Sequence, residues 1–202
     1  MQQVIGIIDY GVAGNIFNIV KTLNFLNENI KINIIDNDFS KLKDVDKIIL
    51  PGVGAFKNTM DDLSDNLKIL RYQIAKKPTL GICLGMQILS EKGFEFGETD
   101  GIKAIEGEVK KLFVHGSVPH IGWSGVEELK DSYILKHVDI EDKFYFMHSY
   151  ELINFKDCVG LTNYCNHKFI SVIEKDNIFG VQFHPEKSRE SGFKIFNNFL
   201  RF

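Results

Sequence analysis

The sequence predicts an α/β protein with an open, mainly parallel sheet covered by helices and an antiparallel extension in the second half. Short runs rich in β-branched residues alternate with helical patterns through the first half. The first run, at residues 4–9, is apolar at nearly every position, as in a strand that is buried on both faces. The second half instead carries short strands of alternating polarity. At ~150 residues per domain, we expect residues 1–202 to form a single domain.

The first half is expected to hold four strands that alternate with helices. A Gly-rich turn, YGVAGN (10–15), follows the first strand and leads into a helix whose apolar positions run from Ile16 to Leu26 at helical spacing. A longer helical pattern covers residues 61–76, and another begins near Met86. The expected strands lie at residues 4–9, 31–36, 47–50 and 79–83.

The second half is expected to add antiparallel strands. The last two strands flank residues 174–177, whose composition is typical of a hairpin turn. Apolar residues at helical spacing across 193–200 predict a closing helix. The expected strands lie at residues 107–113, 126–128, 143–150, 169–173 and 178–183.

Composition excludes several classes of function. The formal net charge of −3 gives no basic field for nucleic acid or a membrane surface. The three cysteines include no Cys-x-x-Cys pair, so we expect neither a disulfide framework nor a metal site, and no cofactor. No run of about 18 apolar residues and no signal-peptide pattern occurs, so a reducing cytoplasmic location is expected.

A cysteine occupies the nucleophile position of a strand-to-helix turn. In GICLG (81–85), Cys83 follows a buried-type strand and precedes a helix, the arrangement of a nucleophile elbow. The helix N-terminus favours a thiolate, and the Leu84 N–H could donate to an oxyanion. A buried structural cysteine between two glycines would give the same five residues. The strand and helix around it favour the catalytic interpretation.

A histidine and a carboxylate follow the last predicted strand. In QFHPEKS (182–188), His184 and Glu186 are two residues apart and would share one side of an extended segment, which Pro185 stiffens. His184 could serve as base and acid, with Glu186 orienting its ring. His137 also has a carboxylate two residues later, Asp139, but it lies in a polar segment.

A second Gly-rich loop, PGVGAF (51–56), follows the strand at 47–50. Ligands collect at the carboxyl ends of parallel strands, so this loop and Cys83 should meet at one edge of the sheet. Gly52 and Gly54 permit a peptide orientation that would aim the Val53 N–H at an oxyanion. The loop lacks the usual phosphate-binding signatures, and a plain strand-to-helix turn is the alternative.

Together, GICLGMQ, PGVGAF and GVQFHPEKS resemble the class I, triad-type glutamine amidotransferases. PHIGWS (119–124) and FYFMHSY (144–150) are similar to segments of the glutaminase subunits of imidazole glycerol phosphate synthase. The resemblance spans nearly the whole chain and implies a flavodoxin-like sheet. It also implies that Cys83 attacks glutamine to form a thioester and release ammonia, with His184 and Glu186 completing the triad.

The resemblance further implies a substrate site and a partner. The ammonia would pass to a separate (β/α)₈-barrel cyclase subunit in a heterodimer, which makes imidazole glycerol phosphate and aminoimidazole carboxamide ribotide in histidine biosynthesis. The glutaminase would be nearly idle until the cyclase binds its ligand. Trp123 and Lys187 would lie near that interface. Residues that match glutamine or oxyanion positions are Gly52, Gln87, His148, Ser149 and Tyr150.

Three departures from the family pattern keep other functions open. Ser124 replaces the usual Asn, the YGVAGN loop is one residue longer, and FGETDGI (96–102) lacks the usual Gly-Leu-Gly. A related glutaminase that feeds a sugar-modifying synthase is therefore an alternative. A cysteine peptidase or deglycase of similar fold and a non-catalytic flavodoxin-like module are two more. An α/β-hydrolase is disfavoured, because His184 precedes the carboxylate.

Overall fold

The computed structural model describes residues 2–11, 16–27 and 29–202. Most of the turn expected at 10–15 therefore lies outside the described residues. The strands are β1 (Gln3–Ile8), β2 (Ile30–Ile35), β3 (Lys47–Leu50), β4 (Thr79–Ile82), β5 (Lys92–Gly93), β6 (Thr99–Asp100), β7 (Glu108–Lys111), β8 (His120–Ser124), β9 (Glu127–Glu128), β10 (Phe144–His148), β11 (Tyr150–Ile153), β12 (Cys158–Tyr164), β13 (His167–Lys175) and β14 (Ile178–Val181). The α-helices are α1 (Ile16–Leu26), α2 (Phe56–Leu63), α3 (Leu67–Ile74), α4 (Leu84–Ile88) and α5 (Arg189–Arg201).

The main sheet of the described residues has the strand order β2-β1-β3-β4-β14-β13-β12-β9. The first five strands of this order pair in parallel, and β13, β12 and β9 continue the sheet antiparallel. This arrangement confirms the predicted mainly parallel sheet with an antiparallel extension. The register pairs Val181 of β14 with Ile82 of β4. The two chain segments that follow these strands, at Cys83 and at His184, therefore emerge at the same edge of the sheet.

Apolar cores fill both faces of the main sheet. On one face, the side chains of α1 and α5, including Leu23 and Phe196, pack with Ile5 and Ile7. On the other face, α2 and α3 pack with Ile8 and Leu50, and with the 3₁₀ helix Phe39–Asp44. Burial on both faces explains why the central strands β3, β4 and β14 are mostly apolar along their length.

The single helix predicted at 61–76 is wrong in its bounds. The chain is helical from Phe56, turns through a 3₁₀ segment at Ser64–Asn66, and resumes as α3. Glu95 accepts a hydrogen bond from the Phe56 N–H at 2.7 Å and so stabilises the earlier start. Ser, Asp and Asn occupy the break, and their side chains compete with helical hydrogen bonding.

The second half differs from the prediction in three strands. The strand expected at 143–150 is divided at Ser149: β10 pairs with β8 in a two-stranded sheet, and β11 joins β7, β5 and β6 in a four-stranded one. The sequence does not predict β8 or β12 as strands. In the described ranges, no helix has both the length and the apolar character that crossing a membrane requires.

Candidate active site

Cys83 lies on the tight turn between β4 and α4, as the sequence predicts. Its backbone has φ of 48° and ψ of −105°, a conformation that costs energy for a non-glycine residue. A Cβ on Gly85 would lie 2.0 Å from the Leu50 carbonyl oxygen, and one on Gly81 would lie 2.6 Å from the Gly85 carbonyl oxygen. Only glycine fits at either position, because these neighbours are backbone atoms that cannot turn away. The turn therefore holds the sulfur at the edge of the sheet.

His184 and Glu186 form the predicted pair at the end of β14. Nδ1 of His184 lies 2.8 Å from Oε1 of Glu186, and neither side chain is exposed to solvent. The backbone at His184 is extended, as expected, but Glu186 lies in the 3₁₀ helix Pro185–Lys187 rather than in an extended segment. His137, the other histidine with a nearby carboxylate, is exposed in a different part of the chain.

The side chains of Cys83 and His184 interact directly. Because Nδ1 of His184 is bound to Glu186, the contact with Cys83 involves the Nε2 side of the ring. Burial alone would lower the pKa of His184. The charge of the Cys83 sulfur and its hydrogen bond, followed by those of Glu186, outweigh burial and raise this pKa to about 10. The neighbouring sulfur and carboxylate thus favour the imidazolium form of His184 at neutral pH.

The PGVGAF loop passes directly over this pair. A Cβ at Gly52 would lie 2.6 Å from the Ile82 carbonyl oxygen and 3.1 Å from Cε1 of His184. The next glycine, Gly54, has φ of 117°, which side-chain-bearing residues rarely adopt. The loop is therefore restricted to glycine at these points and brings the Val53 backbone to the nucleophile.

A cavity of about 300 Å³ opens onto the sulfur. It brings together every predicted oxyanion and substrate residue, and it also includes Glu95, Pro119 and Met147, which the sequence analysis did not identify. A larger cleft of about 610 Å³ lies elsewhere, beside Val126 and Ile140, and does not include the cysteine. The predicted residues that line the smaller cavity are Gly52, Val53, Cys83, Leu84, Gln87, His148, Ser149 and Tyr150.

Two buried histidines support the wall of this cavity. His148 Nδ1 lies 2.9 Å from the Tyr150 carbonyl oxygen, so this nitrogen carries the proton. Its Nε2 then accepts from Nδ1 of His120 at 3.2 Å, and the other nitrogen of His120 lies 3.2 Å from Ser124 Oγ. Burial lowers the pKa of both histidines to about 4. The pair is therefore neutral at physiological pH.

Trp123 and Lys187 lie outside the cavity, in a surface group that we call the aromatic–cation patch (Trp123, Tyr145, Lys187 and Arg189). The Trp123 ring is 5.8 Å from that of Tyr145 and 5.5 Å from the Arg189 guanidinium. Lys187 Nζ lies 5.9 Å from the Tyr145 ring. Trp123 is 47% exposed, and Ile121 beside it is 57% exposed. The patch is apolar, cationic and accessible.

Comparisons of sequence and of fold relate the chain to known proteins. The glutamine amidotransferase class-I family matches residues 6–202. The chain is 39% identical to imidazole glycerol phosphate synthase subunit HisH 1 of Campylobacter jejuni, over 98% of this chain and 99% of the relative. It is 44% identical to subunit HisH of Methanocaldococcus jannaschii, over 97% and 98%. PurLQS from Thermotoga maritima has a similar fold, with a TM-score of 0.74, 18% identity, and coverage of 100% and 99%.

Proposed function

Because the chain belongs to the class-I glutamine amidotransferase family, and within it to the HisH subunits of imidazole glycerol phosphate synthase, we propose that Cys83, His184 and Glu186 catalyse its glutaminase reaction. The chain is a glutamine amidotransferase of histidine biosynthesis. The observation that carries the residue assignment is the direct contact of Cys83 with a His184 ring that Glu186 holds at 2.8 Å. The family match across residues 6–202 also supports a single domain.

The first half of the reaction releases ammonia. The Cys83 thiolate attacks the carboxamide carbon of glutamine and forms a carbon–sulfur bond, while the carbonyl electrons move to oxygen. The backbone N–H groups of Val53 and Leu84 stabilise this oxyanion, a contribution of roughly 3–4 kcal/mol per donor in related sites. The oxyanion collapses and the carbon–nitrogen bond breaks. The His184 imidazolium gives its proton to the departing nitrogen, which leaves as ammonia.

The second half regenerates the enzyme. His184 is now a neutral imidazole, and it removes a proton from a water molecule that attacks the thioester carbon. Collapse of the second tetrahedral species breaks the carbon–sulfur bond and releases glutamate. The thiolate and the imidazolium are restored, and the Glu186 carboxylate stabilises the ring whenever it is positively charged.

The cavity residues bind the rest of the glutamine. Glu95 is the one acidic side chain among the residues that line the cavity, and its carboxylate suits the substrate ammonium group. Both N–H bonds of the Gln87 amide are used internally, on the Tyr150 carbonyl at 2.9 Å and on Gln182 Oε1 at 3.0 Å. Gln87 therefore contacts substrate only through its carbonyl oxygen, as an acceptor.

The partner is a (β/α)₈-barrel cyclase subunit that binds the aromatic–cation patch. The relatives are named as subunits, and the patch has an exposed Trp, an exposed Arg and a half-buried Tyr, which are residue types enriched in protein interfaces. It adjoins the site, because the Tyr145 carbonyl accepts the His184 N–H at 2.8 Å. Cytoplasmic location stays a prediction from cysteine usage.

The Cys83→Ala variant tests the assignment in the complex with the cyclase. We expect glutamate release to be lost while turnover with added ammonia continues, because the cyclase chemistry does not involve the thiol. Cys165→Ala is a matched control, because Cys165 is exposed and does not line the cavity, and it should keep both activities. Substantial glutamate release by the Cys83→Ala variant would overturn the proposal.

A further inference from the structure

A buried glutamine contacts the Cys83 sulfur without lining the cavity. Gln182 follows β14 and has no exposed surface. Its Nε2 lies 3.4 Å from Cys83 Sγ, across 99 residues of sequence. Gln182 is not among the residues that line the cavity, so its contact is with the nucleophile and not with the substrate space.

The hydrogen-bond network fixes which end of the Gln182 amide faces the sulfur. The Tyr150 carbonyl oxygen can only accept, so the Gln87 atom 2.9 Å from it must be the amide nitrogen. That nitrogen donates its second proton to Gln182 at 3.0 Å, which requires the Gln182 oxygen at that end. The Gln182 NH₂ group is left facing Cys83. The sulfur therefore meets an N–H donor whose orientation cannot reverse without breaking the contact with Gln87.

We propose that Gln182 is a positioning residue that holds the Cys83 sulfur and stabilises its thiolate form by an N–H···S hydrogen bond, with Gln87 clamping the Gln182 amide. This inference rests on the proposed role of Cys83 as nucleophile. An N–H donor is stronger toward a thiolate than toward a neutral thiol. His184 also faces the sulfur, and the Met147 carbonyl oxygen, 3.9 Å from it, is an acceptor that favours the thiol. Gln182 opposes that preference.

The test measures the titration of the thiol itself. In a Cys158→Ser, Cys165→Ser background, Cys83 is the single thiol of the chain, and its rate of alkylation by iodoacetamide is followed against pH. Gln182→Met keeps the length of the side chain and removes the donor. Its profile should move to higher pH by about one unit, the size expected for a hydrogen bond to a charged group. We compare the pH midpoints of these profiles and not the rates at a single pH, because a more basic thiolate also reacts intrinsically faster.

Two further variants separate positioning from folding. Gln87→Met leaves Gln182 in place but removes its clamp, so the midpoint should shift in the same direction by a smaller amount. Gln73→Met alters another buried glutamine, on α3 and outside the network, and should leave the midpoint unchanged. Thermal melting of each variant checks that it is folded. A folded Gln182→Met protein with the wild-type midpoint would overturn the inference.

Steady-state kinetics in the cyclase complex distinguish this inference from the proposed function. Gln182→Met should lower kcat for glutamine about tenfold with little change in KM, because Gln182 touches the sulfur and not the substrate space. A rise in KM alone would contradict the inference. If instead Cys83→Ala retains glutaminase activity, the proposed function fails, whatever the alkylation profiles of the Gln182 variants show.

Discussion

His184 and His148 both border Cys83, yet their pKa values lie on opposite sides of neutrality. The pKa of His184 is raised to about 10, because the sulfur and the Glu186 carboxylate outweigh the effect of burial. The pKa of His148 is lowered to about 4, because burial dominates and its Nε2 faces another histidine, His120. Neighbouring charge, and not burial, separates the two. His184 is suited to carry a proton during the reaction, whereas His148 is suited to remain neutral and shape the cavity.

The largest expected effect comes from removing the charge that makes His184 different. Glu186→Gln keeps a hydrogen-bond acceptor of the same shape but no longer stabilises the imidazolium. We expect kcat for glutamine in the cyclase complex to fall by a factor on the order of 10²–10⁴. Glu151→Gln is a matched control, because Glu151 lies 2.9 Å from His167 in a similar pair that does not line the cavity. Equal loss of kcat in both variants would show that the charge of Glu186 does not set His184 apart from the other histidines.

A second expected effect is acid destabilisation by the neutral histidines. In the unfolded chain the histidines bind protons near pH 6.5, whereas in the folded chain His148 and His120 stay neutral down to about pH 4. The free energy of unfolding should therefore fall as pH decreases from about 6.5 to 4, by about 3 kcal/mol for His148 alone. The contribution of His184 to the free energy of unfolding has the opposite pH dependence. It is complete below pH 6.5 and is lost as pH rises through about 10.

Denaturant titrations at several pH values measure this slope. His120→Phe is the informative variant, because the imidazole is stacked on Phe146 and on Tyr164, so a phenyl ring can occupy the same place. The variant should lose stability less steeply between pH 6.5 and 4 than the unaltered chain. An unchanged slope would show that the buried pair does not control acid stability.

The smallest effect on the isolated chain is expected at the aromatic–cation patch. Trp123→Ala removes a half-exposed ring, so the free energy of unfolding should change by no more than about 1 kcal/mol. Affinity for the cyclase subunit should fall about tenfold or more. Calorimetric titration measures this affinity, with Tyr72→Ala as control, since Tyr72 is an exposed aromatic on α3. Equal affinities for the two variants would exclude the patch as the docking surface.

The sequence predicts the parallel strands and the triad, but not the sheet that carries the neutral histidines. In β3, for example, the three successive buried positions from Ile48 to Leu50 are all apolar, so composition alone identifies the strand. In β8 the pattern is inverted: His120 is buried, whereas Ile121 and Trp123 are exposed. A strand with polar residues inside and apolar residues outside lacks the usual alternation.

The site was predictable where its groups are local in sequence. Cys83 lies in a five-residue turn motif, and His184 and Glu186 are two residues apart. Glu95 lies in no such pattern. Gln182 begins the segment QFHPEKS, but nothing near it in sequence indicates its contact with Cys83. Gln182 meets Cys83 only because β14 pairs with β4 in a particular register. Contacts of this kind depend on the register of distant strands, which the chemistry of neighbouring residues does not specify.

Covalent trapping tests directly whether Cys83 is the nucleophile that attacks glutamine. The cyclase complex is treated with a glutamine-mimicking electrophile, and the labelled residues are mapped by mass spectrometry with and without excess glutamine. We expect a single adduct on Cys83, suppressed by glutamine, with Cys158 and Cys165 unmodified. Complete inactivation with the adduct on another residue, or labelling of Cys83 that glutamine does not suppress, would show that Cys83 is not the glutaminase nucleophile.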